Sequence, residues 1–131
     1  MKITLGLGCD RGTPATTIAQ CIAEALAACG LGVDDVRAVA SIDLKADENG
    51  LLAVIQNNGW SCVFYPASVL AAVDVPNPSE TVRKYTGTPS VSEAAALLAA
   101  NADLSHLLIE KHKLRGPDGR NATVSIARIP Q

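Results

Sequence analysis

Six residues, Gly8-Cys9-Asp10-Arg11-Gly12-Thr13, place a guanidinium inside a glycine-rich turn between an apolar run and an Ala-rich run. Where a strand turns into a helix, the backbone N–H groups and the helix N-terminus favour an anion, and an Arg adds a planar two-donor fork. The spacing excludes the familiar nucleotide cradles: G-x-G-x-x-G needs glycine at Arg11, and a P-loop needs lysine at Thr13. Two readings stay open: a turn that holds a carboxylate or other planar anion, and a tight connection with Arg11 in water. On the first, Gly8, Cys9, Arg11, Gly12 and Thr13 are candidate ligand contacts.

A second group is Asp43, Lys45, Asp47 and Glu48 in SIDLKADENG. Lys45 can bind a carboxylate or polarise a carbonyl, and Asp43 or Glu48 can serve as a general base. Asp47 and Glu48 are also ordinary acids of a first helical turn, whereas a cation before a helix start is not favoured. Ser90 and Glu93 form a capping box ahead of an Ala/Leu run, with Glu93 a further candidate for proton transfer. Lys111 and Lys113 add cations that could contact ligand or simply protect an edge strand. Cys9 lies where a helix N-terminus lowers a thiol pKa, but with no His close in sequence a buried thiol is favoured over a catalytic one. His106 and His112 share no ligand spacing with each other or the cysteines, so neither a metal nor a cofactor is expected.

The elements that must position these groups follow from periodicity. Residues 2–7 read as a buried strand; Thr13 caps a helix with Pro14 at its first position, stopped at Gly30. Residues 36–42 and 61–66 are strands flanking a helix that ends at Gly59. A short helix over Ser68–Val73 and a helical turn around Thr81–Tyr85 precede the Ser90 helix. Residues 106–113 alternate as a half-buried strand, and after LRGPDGRN the run ATVSIARI returns as its antiparallel partner. This order predicts a single domain, 1–131, a three-layer α/β/α sandwich with a mostly parallel sheet and an antiparallel C-terminal edge strand. In such sheets ligands sit beyond the carboxyl ends of the parallel strands. The Gly8–Thr13 turn, Lys45, Tyr65, Ser90, Lys111 and Lys113 should therefore share one rim.

Composition narrows the partners. A net charge of −2 and 3% aromatic residues exclude an aromatic-platform nucleic-acid binder and argue against a membrane-surface role. No apolar run approaches the roughly 20 residues of a spanning helix. Four cysteines without a C-x-x-C pair fit a reduced cytoplasm.

The segments GLGCDRGT, ASIDLKADENGLL, GTPSVSEAAALLAA and IEKHK, in this order, resemble the CobE / CbiG C-terminal domain family of cobalamin biosynthesis over nearly the whole chain. Asp10 departs from the basic or small polar residue expected there. The resemblance implies a three-layer α/β fold and a role in building the corrin ring. CbiG resembles a hydrolase that opens a cobalt-precorrin lactone and releases acetaldehyde, with this domain fused behind others. This chain begins at its first strand and so resembles the standalone CobE type of the aerobic route, to which that activity does not simply transfer. The implied partners are a precorrin intermediate, rimmed by acetate and propionate groups, and other corrin-pathway enzymes. Three readings compete: a precorrin-binding accessory protein or carrier, a lactone-hydrolase-like enzyme acting on a precorrin through Lys45 with Glu93 or Asp43, and a binder of another anionic metabolite.

Overall fold

The computed structural model describes residues 1–75 and 91–130. The expected helical turn around Thr81–Tyr85 and the capping residue Ser90 lie outside them. The elements are β1 (Ile3–Cys9), α1 (Ala15–Ala28), β2 (Val36–Ile42), α2 (Asn49–Asn58), β3 (Cys62–Tyr65), α3 (Ala67–Ala71), α4 (Val91–Ala100), β4 (Leu107–Arg115) and β5 (Asn121–Arg128).

Helix α1 forms because Ile18, Cys21, Ile22, Ala25 and Leu26 recur on one face and bury it against the sheet. It ends as α2 does, on a left-handed glycine: Gly30 and Gly59 each have a φ of 67° and let the last carbonyls be satisfied from beyond the helix. Pro14 rather than Thr13 occupies the cap position of α1. The Thr13 hydroxyl is buried and donates to the backbone of the first turn and of β5, at Asp10 O (2.8 Å) and Asn121 O (3.2 Å). Tertiary bonding has taken the side chain that local propensity assigns to the helix.

The strands form one sheet in the order β3-β2-β1-β5-β4. β1 pairs parallel with β2, and β2 with β3, while β5 runs antiparallel to both β1 and β4. β1 to β4 therefore all point the same way. The antiparallel pairing does form that end of the sheet, but β5 is inserted between β1 and β4, and β4 is the edge.

Helices α1 and α2 cover one face, where Ile3, Leu5, Leu7, Val39, Val124 and Ile126 meet them. On the other face, α4 packs against β1, β2 and β5, with α3 beside it. The approach of α4 is close: Thr4 Oγ1 donates to Ala96 O (2.7 Å), and a Cβ on Gly6 would overlap the Ser92 carbonyl. The alanines at 94–96, all buried, permit that distance. The result is the expected three-layer α/β/α sandwich.

Candidate functional site

The carboxyl ends of the parallel strands bring Gly8, Lys45, Tyr65 and Lys113 to one rim. Lys111, expected there, lies lower in the sheet, at the level of Ser125 and Gly6. Gly8 of β1 lies opposite Thr123 of β5, which in turn lies opposite Lys113 of β4. The turn carrying Asp43 and Lys45 follows β2, and Tyr65 ends β3. A Cβ on Gly8 would stand 2.6 Å from Thr123 Oγ1, so glycine here leaves room beside that hydroxyl.

Arg11 meets carboxylates of its own chain. Its Nη1 lies 2.6 Å from Glu48 Oε1 and 2.8 Å from Asp47 Oδ1, and its Nη2 donates to Leu44 O. The other Glu48 oxygen accepts from Gly12 N–H at 3.0 Å. Glu48 thus takes one guanidinium and one turn N–H, the contacts a ligand carboxylate would use. Its side chain is 5% exposed, against 62% for Arg11. Asp47, in water, is held below the usual carboxylate range by its hydrogen bond to Arg11. Asp10 accepts from both Asn121 N–H and Asn121 Nδ2, tying the turn to β5. Asp47 and Glu48 lead into helix α2 in sequence, and nothing local marks them as partners of Arg11, 36 and 37 positions earlier.

Lys45 is half-buried and makes no ion pair or side-chain hydrogen bond with another described residue. Asp43 is exposed beside it. The Cys9 thiol faces the α1–α2 core, and burial pushes its pKa up to about 11, only partly opposed by the positive charge of Lys45. A helix N-terminus does not win against that desolvation. Site-resolved iodoacetamide labelling is expected to leave Cys9 largely unmodified at pH 8, with the rate climbing only as the pH nears 11. Fast labelling at pH 7 would show an activated thiol instead.

On the α4 face, Glu93 is fully buried, and Lys111 Nζ lies 3.6 Å from its Oε1. A β-bulge makes this pair. Ile109 lies opposite Ile126 and His112 opposite Val124, so Glu110 and Lys111 together face the single residue Ser125. Strict alternation would put Ile109 and Lys111 on the same face. The bulge instead sends Ile109, His112 and Leu114 to the α1 side, where His112 Nε2 meets Glu24 at 2.7 Å, and turns Lys111 toward α4. Ser125 Oγ bonds to both the Glu110 carbonyl and Ser92 Oγ, pinning the first turn of α4 to the bulge. Ser125 and Ser92 escape notice in sequence because serines in a strand and in an alanine helix carry no spacing signal. Among the described residues, no three His, Cys, Asp or Glu side chains converge as a metal site would require.

The fold and the rim define a mostly parallel three-layer α/β/α domain whose strand ends carry a half-buried lysine and further cations. The family described as "Cobalamin synthesis G C-terminus" matches residues 3–127. The chain is 40% identical over 111 residues to Protein CobE of Sinorhizobium sp, covering 83% of this chain and 71% of that one. It is also 40% identical over 128 residues to a cobalt-precorrin-5A hydrolase of Priestia megaterium, covering 98% of this chain but only 32% of the hydrolase. It therefore spans about a third of that enzyme. Among solved structures, CobE, a protein from the cobalamin (vitamin B12) biosynthetic pathway, superposes with a TM-score of 0.80 at 29% identity, covering 99% of this chain and 93% of that one. Cobalamin biosynthesis protein chiG from Agrobacterium tumefaciens str. C58 superposes at 0.69 and 30% identity, covering 98% and 99%. The chain belongs to the CobE / CbiG C-terminal domain family and is a cobalamin biosynthesis protein.

Proposed function

We propose that the protein binds a precorrin intermediate through its carboxylates at the sheet rim, as an accessory or carrier of the corrin pathway in the cytoplasm. Lys45 carries this reading. It is a half-buried cation at the carboxyl end of a parallel strand, without an ion-pair partner among the described residues, whereas Arg11 is already neutralised. Gly8, Lys111, Lys113 and Ser90 complete the proposed contact set; the Gly12 N–H and the buried Thr13 hydroxyl are already taken by Glu48 and by backbone carbonyls. No helix among the described residues is long and apolar enough to cross a membrane. The other corrin-pathway enzymes are proposed as the partners that deliver or receive the ring.

Co-expression with the corrin pathway, followed by identification of what copurifies, tests the proposal. Wild-type protein is expected to retain a coloured tetrapyrrole, and Lys45→Met, which keeps the aliphatic stem, should weaken retention by about tenfold. A colourless wild-type preparation would count against precorrin binding and favour another anionic metabolite. A second reading, an enzyme acting on a precorrin, is favoured by one observation: the buried carboxylate of Glu93 beside Lys111 on the α4 face. Turnover of the retained ring, followed by mass spectrometry, separates the two, with loss of turnover in Glu93→Gln the mark of the enzyme.

A further inference from the structure

The bulge at Glu110–Lys111, the second of two register shifts in β4, has an effect beyond the Glu93–Lys111 pair. Past it, regular alternation resumes, so Lys113 and Arg115 follow Lys111 on the α4 face while His112 and Leu114 fill the opposite one. Alternate residues of a strand stand roughly 6.6–6.8 Å apart, so the three cations form a row spanning roughly 13 Å along the sheet edge. Lys111 is partly neutralised by Glu93 at 3.6 Å. Lys113 and Arg115, both exposed, make no side-chain ion pair or hydrogen bond with another described residue. They lie at the register of Thr123 and Asn121, rimward of the level where Ser92 meets Gly6. The same hairpin adds Arg120, but that guanidinium is bound to Asp118 and to Arg11 O.

Edge-strand cations deter sheet-to-sheet pairing, and charges of mixed sign would do that equally well. Glu110 shares the bulge with Lys111 on this face, but past it the row is Lys113 and Arg115, two cations ending at the ligand rim, and these suit a rigid molecule with several carboxylates along an edge. We infer that Lys113 and Arg115, with Lys111, read the number of carboxylates on the bound ring, and that Arg115 is a ligand contact. This rests on the tetrapyrrole reading proposed above. Arg115 supplies a two-donor fork to one carboxylate, and Lys113 a point charge to its neighbour.

The test uses porphyrins of fixed carboxylate number as probes: uroporphyrin I with eight, coproporphyrin I with four and mesoporphyrin IX with two. Each is titrated into the full chain by porphyrin fluorescence at 50 and 200 mM KCl. Affinity is expected to fall in that order, most steeply with salt for uroporphyrin. Lys113→Met and Arg115→Gln should each weaken uroporphyrin about fivefold and leave mesoporphyrin unchanged, with thermal melts as the wild type's. Equal affinity of the wild type for all three probes, or full uroporphyrin affinity in both variants, overturns the inference. If the wild type still copurifies a tetrapyrrole in that event, the precorrin reading stands and only the edge row falls. A wild type that binds none of the probes and copurifies no tetrapyrrole overturns both.

Discussion

Gly6→Ala is expected to cost about 3 kcal/mol or more of folding stability, enough to lower the melting temperature by roughly 10 °C or more. A Cβ at Gly6 would overlap the Ser92 carbonyl and stand 2.7 Å from Ala96 N. Both obstacles are backbone of α4, so no rotamer change relieves them and the whole helix must lift from β1. Lifting it would loosen the buried alanine contacts of residues 94–96, the Thr4–Ala96 hydrogen bond and the Ser92–Ser125 bond together. Gly32→Ala is the control: its added Cβ meets nothing within 4 Å, and its φ of −125° suits any residue. That variant should melt within about 0.5 kcal/mol of wild type. Urea unfolding of both proteins decides the matter. A Gly6→Ala protein as stable as Gly32→Ala would mean that α4 does not rest on Gly6 in solution.

The same contact explains what the sequence does and does not disclose about the fold. The alternation of apolar runs with Ala-rich helices, broken at Gly30 and Gly59, makes the sandwich legible because each element carries its own period. The place of β5 is different. Antiparallel hairpin pairing with β4 follows from the turn between them, but insertion beside β1 depends on which strand buries Val124 and Ile126 against α1, a matter of tertiary packing. The bulge is hidden for a related reason. LLIEKHK reads as simple alternation, and only the need to bury Ile109 and Leu114 on one face while pairing Lys111 with Glu93 on the other forces the extra residue.

At the site, the rim itself was legible, because strand direction brings Gly8, Lys45 and Lys113 together once the sheet is known to be mostly parallel. The partner of Arg11 was not. Read locally, Arg11 faces solvent and Glu48 belongs to the start of α2, and their meeting depends on how the β1 and β2 turns lie side by side.

That meeting sets the second large effect. Glu48→Ala leaves Gly12 N–H and the Arg11 fork without their shared acceptor in a spot where the Glu48 side chain is 5% exposed. The loss should amount to about 1–3 kcal/mol. Asp47→Ala, removing a carboxylate whose side chain is 75% exposed, should leave the melting temperature essentially unchanged at neutral pH. The pH dependence has a definite sign. Asp47 is held below its ordinary value of 3.8 by Arg11, so whatever it contributes is present at neutral pH and is lost as the pH falls through and below that value. The ligand consequence separates brace from cradle. If the turn serves the ring through Arg11, freeing that guanidinium in Glu48→Ala should strengthen uroporphyrin binding at a temperature where the variant is folded. With Glu48 a permanent brace, as its burial argues, affinity should instead drop or hold, and Arg11→Ala should lower the melting temperature before it lowers affinity. Tighter binding by Glu48→Ala would return Arg11 to the ligand and make Glu48 its stand-in.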